Sequence, residues 1–213
     1  MNIKKLLKEY WQFKKTYNFK PMQLSNMDGC LFVGDVCVDN KTNPTLTKVF
    51  ETDTFINVAY NSKTSVAKAL SNLFPYSFRF RGKKVASIEG VLQGIKYKDK
   101  TSQNKVLKYF GLDAYHTRAC NNFEFWGNTR LLYWQGKPIN RDSQDYQNFI
   151  DELYLSVAKN PLYRRALKAS GNKYLLHAIG GEDKTFTILT REEYELRMNT
   201  IRAFLEEKGL LNF

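Results

Sequence analysis

A single α+β domain, mainly helical with a few short strands, is the fold class this sequence predicts, and three observations predict it. Apolar residues recur at i, i+3, i+4 and i+7 in several separate stretches, the repeat of amphipathic helices. Alternation of aromatic and polar residues from Tyr76 to Arg81 marks a half-buried strand, and a turn at Gln135 to Lys137 marks a hairpin. No internal repeat and no low-complexity linker interrupts the 213 residues, a length that one core can serve.

The first helix is expected over Asn2 to Tyr17, where Ile3, Leu6, Leu7, Tyr10 and Tyr17 recur with lysines between them. Cys30 to Val38 reads as extended but broken by Gly34, and Asn40 to Pro44 as a turn or loop. Thr54 to Tyr60 offers another short strand. After the strand that ends at Gly82, Ser87 is placed to cap a helix whose Ile88, Val91, Leu92 and Ile95 form one buried stripe. Glu89, Gln93 and Lys96 fall on another face of that helix, as do Gly90 and Gly94, one turn apart. A glycine costs a helix about 1 kcal/mol against alanine, so the pair predicts a close neighbour, either another backbone or a ligand. Asp142 or Ser143 can cap the next helix, which carries Tyr146, Phe149, Ile150, Leu153 and Val157 inward. Asn160, Pro161 and Gly171 bracket another, and Thr190 with Glu193 opens the last as a capping box that runs to Gly209. Residues 1–53 read as an N-terminal extension, a helix plus strand packed on the core, and residues 54–213 as the main domain.

Lysine and arginine outnumber the acids 33 to 21, a formal net charge of +12. The excess is local: residues 79 to 105 hold eight bases against Glu89 and Asp99. Such a field attracts phosphate-rich partners, nucleic acid among them, without naming a sequence or a reaction. No run approaches the roughly 18 to 20 apolar residues of a membrane span, and the N-terminus lacks the apolar segment of a signal peptide. The reading is a soluble cytoplasmic protein with no membrane partner, its oligomeric state open. Cys30, Cys37 and Cys120 stand at no zinc spacing and read as reduced core cysteines. His116 and His177 have no ligand-spaced partners, and neither GxSxG nor a phosphate loop is present, so no metal and no cofactor is expected.

What remains is Glu89, a carboxylate among bases, amides and aromatics. On its own it reads as a surface or first-turn acid favoured by the helix dipole rather than as a reagent. The reagent reading comes from a resemblance. The segment "ALSNLFPYSFRFRGKKVASIEGVLQGIKYKD" (69–99), "FGLDAYHTRACNN" (110–122) and the stretch from Gln144 to Leu205 resemble the NADAR, or YbiA-like, family over roughly residues 55 to 206. An LSNF-like segment at Leu70 to Phe74, a hydrophobic strand, Gly82, and a Ser87-x-Glu89 helix entry with Gln93 four residues on carry the likeness, together with the Asn160-Pro161 step.

The resemblance implies a YbiA-like domain over residues 54–213 and hydrolysis of a ribose C1–N bond, foremost in an ADP-ribosyl conjugate such as ADP-ribosylated guanine in nucleic acid. The alternatives are a free phosphoriboside of the riboflavin-pathway kind as substrate, or a non-enzymatic binder of ADP-ribose, NAD or nucleic acid. Breaking the C1–N bond builds oxocarbenium charge, which Glu89 stabilises while it positions water. Asn72 is expected at a ribose hydroxyl or orienting Glu89, and Gln93 holding Glu89. Lys96, Arg79 and Arg81 are candidates for phosphates, and Trp126 and Trp134, with Tyr133, for stacking on a base. His177 stands where the riboflavin-pathway branch has a glutamate, and Asp183 lacks a following tryptophan, a departure that favours the ADP-ribose branch. His177 is then a substrate-binding residue and Asp183 a second catalytic group.

Overall fold

Local capping chemistry sets most helix boundaries. In α1 (Ile3–Thr16) the Asn2 side chain accepts from Lys4 N. In α3 (Ile88–Gly94) Ser87 accepts from Gly90 N, in α7 (Gln144–Val157) Ser143 accepts from Tyr146 N, and in α8 (Pro161–Ala169) Asn160 accepts from Leu162 N. The longest, α9 (Arg191–Glu207), opens with the Thr190/Glu193 capping box and stops ahead of Gly209, whose φ of 66° suits glycine. The shorter helices are α2 (Ser65–Leu70), α4 (Lys100–Val106), α5 (Gly111–His116) and α6 (Phe123–Thr129). The computed structural model describes residues 2–17, 19, 24–27, 30–33, 36–40, 52–62, 64–117, 123–178 and 180–212, with backbone alone for the strands between 24 and 40 and for residues 123–125. The turn expected at Asn40 to Pro44 lies largely, and Cys120 wholly, outside the described residues, as do the side chains of Cys30 and Cys37.

Strands are short and, among the described residues, fall into four small sheets. The sequence Cys30 to Val38, read as extended but broken at Gly34, holds β2 (Cys30–Val33) and the start of β3 (Val36–Asn40), in an antiparallel sheet with β1 (Leu24–Met27). β5 (Phe78–Phe80) and β6 (Lys83–Val85) form one hairpin, β7 (Leu131–Trp134) and β8 (Lys137–Asn140) another. Both turns, Arg81-Gly82 and Gln135-Gly136, hold two successive residues at positive φ, as the tight turns that match strand twist require. The fourth pair is β4 (Phe55–Asn57) beside β9 (Tyr174–Leu176), parallel and far apart in sequence.

α1–α3, α6–α9 and the strands from β4 to β9 contribute to one apolar cluster, and the architecture is α+β and mainly helical. α7 runs through its centre, with Phe149, Ile150, Leu153, Tyr154 and Val157 all at most 1% exposed. α1 joins the same cluster through Leu6, Leu7 and Tyr10, the Tyr10 ring packing edge-on to Phe204 of α9 at 5.5 Å. Buried carboxylates are paired with bases at the cluster. Arg141 forks onto Glu193 at 3.0 and 2.5 Å; burial alone would raise the Glu193 carboxyl, but the guanidinium outweighs it and brings the pKa to about 2. Asp151 of α7 sits between Lys14 of α1 and Arg197 of α9, each 3.0 Å away. Among the described residues no helix is long and apolar enough to cross a membrane.

A carboxylate cleft between α3 and the β9–α9 loop

Helix α3 is anchored at its start from two sides. Ser87 Oγ accepts from Gly90 N and donates to the Tyr109 carbonyl, both at 2.9 Å, and the Asn72 carbonyl accepts from Glu89 N at 2.9 Å. The glycine pair expected to admit a neighbour admits backbone and side chain. A Cβ on Gly90 would lie 2.7 Å from the Tyr109 carbonyl oxygen, and one on Gly94 would lie 3.2 Å from the Leu107 side chain. Gly90→Ala is therefore expected to destabilise the fold by about 1–3 kcal/mol, overpacking outweighing alanine's helix preference. Thermal unfolding reads this out, and an unchanged melting temperature would mean that α3 can retreat from Tyr109 without loss.

The opposite side of α3 lines a cleft of about 320 Å³. Glu89 and Gln93 are only 7% and 4% exposed, yet both reach it. Gln93 Nε2 donates to Glu89 Oε1 at 2.7 Å, and Gln93 Oε1 accepts from Lys96 Nζ at 2.7 Å. Glu89 and Gln93 of α3 and Lys96 of the turn just beyond it, which the sequence places within the helix, thus carry a carboxylate, an amide and an ammonium in a chain, with the Lys96 ammonium 5.8 Å from the Trp126 ring centre. Glu89 and Lys96 are the charged side chains among the described residues lining the cleft.

Asn72 meets α3 from the segment after α2. Its Oδ1 accepts from Tyr154 Oη at 2.6 Å, which turns the amide nitrogen to other partners. Tyr154 is fully buried, so its phenol stays protonated: burial lifts its pKa well above the ordinary tyrosine value, the nearby Glu89 adding a little to the rise.

His177 enters from the far side, at the end of β9. The parallel β4–β9 pairing brings it to Val58, 119 residues away in sequence, whose carbonyl lies 2.8 Å from Nδ1. A carbonyl only accepts, so Nδ1 carries the proton. Burial, helped by Arg191, holds the ring pKa below the usual histidine value, with the Val58 bond acting against it. At neutral pH His177 therefore presents a bare Nε2, an acceptor. Glu195 fixes the backbone beneath, accepting from His177 N at 3.0 Å and from Arg191 Nη1 at 2.9 Å.

Of the residues singled out from sequence, Asn72, Glu89, Gln93, Lys96 and His177 line this one cleft. The others lie elsewhere. Trp126 is 1% exposed, and Trp134, 8% exposed, packs edge-on against Phe80 and Phe149, so the stacking candidates are core aromatics. Arg79 is on the exposed face of β5, and Arg81 pairs with Glu152 at 2.8 Å. Asp183 is an exposed loop cap that accepts from Thr185 N and Oγ1 at 2.7 and 2.6 Å, bonds that hold its carboxyl below the usual range. Tyr154, Tyr194, Tyr115 and Phe186 were missed. Tyr154 and Tyr194 carry the signature of core positions in helices, and only Phe186, an isolated ring in the polar run "EDKTFT", stands out in sequence.

The fold and this cleft define a helical α+β domain with a buried carboxylate at a solvent-reached site. The chain belongs to the bacteriophage protein GP30.3 family, whose model matches residues 64–203. It is 33% identical over 139 residues to an uncharacterized 17.1 kDa protein from the Gp30-rIII intergenic region of Enterobacteria phage T4, a stretch covering 64% of this chain and 90% of the phage protein. No solved structure matches. Of the described residues lining the cleft, all but Val58 fall within the matched region, and α1 falls outside it.

The family match corrects the NADAR, YbiA-like resemblance, which nothing in these comparisons supports. The features that carried it have local causes. A Ser-x-Glu entry with glutamine four residues on is an N-cap followed by an i, i+4 carboxylate–amide pair, and Asn-Pro is a common helix start.

Proposed function

We propose that this cleft hydrolyses the bond between a ribose C1 and a nitrogen. The observation that carries the reading is Glu89: a carboxylate 7% exposed, braced by Gln93, with its face on the cleft. A buried anion favours a reaction that develops positive charge beside it, and loss of a nitrogen base from C1 develops an oxocarbenium ion. In this mechanism the C1–N electron pair leaves with the base, Glu89 stabilises the C1 cation, a water adds to C1 and gives its proton to the carboxylate, and that proton passes through solvent to the departing nitrogen, which restores the carboxylate. Asn72 and the bare Nε2 of His177 supply a donor and an acceptor suited to ribose hydroxyls, and Lys96 a cation for a phosphate.

A cleft of about 320 Å³ with one ammonium suits a single riboside unit at the lower end of small-molecule site sizes. The test is a panel: ADP-ribosylated guanine in DNA, NAD, a pyrimidine phosphoriboside and the ribonucleoside 5′-monophosphates, with free base and released sugar followed by chromatography. Release of base from at least one is the expected result. Binding without release from any would overturn hydrolysis and leave a binding protein.

A further inference from the structure

The largest exposed apolar side chain at the cleft belongs to none of the groups used above. Phe186 is 68% exposed, more than any other large apolar side chain among the described residues, and it lines the same cleft as Glu89 and His177. Leaving a phenylalanine in water forgoes the roughly 1.5–3 kcal/mol its burial would yield. Flexibility does not account for it, because the surrounding loop is fastened along its length. The Lys184 carbonyl accepts from Arg130 Nη1 at 2.5 Å, and the Thr187 carbonyl accepts from Arg141 Nη2 at 3.3 Å. The Ile188 carbonyl accepts from Tyr146 Oη, and the Asp183 carbonyl accepts from Thr187 N at 2.8 Å. Both arginines are themselves tied down, Arg130 on Asp142 and Arg141 on Glu193. On the loop's other side a Cβ at Gly127 would lie 2.8 Å from the Thr185 carbonyl oxygen, so α6 abuts it directly.

We infer that Phe186, carried on this fastened loop, is a platform on which the aromatic base of a nucleotide stacks when its ribose occupies the Glu89 cleft, making the ligand class a nucleoside monophosphate or its conjugate. The inference rests on the reading of the cleft as a riboside site. A ring carried on a fastened loop backbone stacks with less loss of freedom than one on a free segment, and a second aromatic, Tyr115 of α5, lines the same cleft. A volume of about 320 Å³ is too small for a folded partner and suits a single base with its sugar.

The experiment is calorimetric titration of AMP, GMP, CMP, UMP and ribose 5-phosphate into the full-length protein, Phe186→Ala and Phe186→Trp. Since the side chain is exposed, both variants are expected to fold, and a melting curve checks this. At least one nucleotide should bind the wild type about 10- to 100-fold more tightly than ribose 5-phosphate. Phe186→Ala should erase that difference without changing ribose 5-phosphate affinity, and Phe186→Trp should keep it. Equal affinities in the wild type, equal weakening of all probes by Phe186→Ala, or no binding of any probe overturns the platform. Should the nucleotide preference follow Phe186 while no C1–N bond in the panel is cleaved, hydrolysis fails and the base site stands. Should cleavage occur with no role for Phe186, the reverse holds.

Discussion

Glu89→Gln is expected to lower the rate of C1–N cleavage by about 10²- to 10³-fold, the scale on which removal of one preorganised electrostatic contact acts. The substitution keeps shape and keeps an oxygen to accept from Gln93 Nε2, now 2.7 Å from Glu89 Oε1, while it removes the charge. Substrate affinity should change little, because the carboxylate acts on charge that appears as the bond breaks. Stability should hold or rise, since a charge 7% exposed is costly to keep there. Single-turnover assays with a melting curve on the same sample check both halves. Gln93→Leu should give a smaller fall, because it removes the brace between Glu89 and Lys96 and leaves both charges. Full activity in Glu89→Gln would return this residue to the role of a first-turn acid on α3.

What could be read in advance divides along the range of the interactions. Ser87, Asn160 with Pro161, and Thr190 with Glu193 announce helix starts because a cap satisfies backbone donors within three residues. Gln135-Gly136 announces a hairpin for the same local reason. The chain Glu89, Gln93, Lys96 was visible because i, i+4 neighbours meet on one helix face and the turn that ends α3 keeps Lys96 three residues on within reach of Gln93. The other half of the cleft was not visible in this way. His177 was picked out from a likeness that did not hold, and what orients it is a parallel strand pair linking Val58 to the end of β9. No local pattern encodes that pairing. Trp126 and Trp134 show the converse error: large rings beside a hairpin serve the core before they serve a ligand, as their burial shows. The family likeness misled for a related reason, since caps and carboxylate–amide pairs recur wherever helices begin.

Asp151→Asn is expected to cost about 3–5 kcal/mol, the penalty for leaving a buried cation without its counter-charge. Asp151 and Arg197 have side chains 1% exposed, 3.0 Å apart, though Arg197 Nε is not aligned with the carboxylate as a hydrogen bond. Among the described residues the guanidinium keeps the Glu193 carbonyl and Gln147 when the charge goes. For a chain of this length 1 kcal/mol is worth about 2–4 °C, so the melting temperature should fall by roughly 6–20 °C. Asp151→Leu combined with Arg197→Met should recover much of the loss, because a buried pair exchanged for apolar side chains is often neutral. If the double variant is as unstable as the single, shape rather than charge holds this position. The consequence reaches the cleft. Asp151 lies three residues before Tyr154, which holds Asn72, and Arg197 lies three residues after Tyr194, which lines the site. Lys14 reaches the same carboxylate from α1, outside the family match, so the first helix helps to seat the two helices that carry these rings. Lys14→Met should therefore weaken α7–α9 packing less than Asp151→Asn does, its side chain being 27% exposed and partly screened by water. Measured as a double-mutant cycle, Lys14 and Asp151 should show a coupling smaller than that between Asp151 and Arg197.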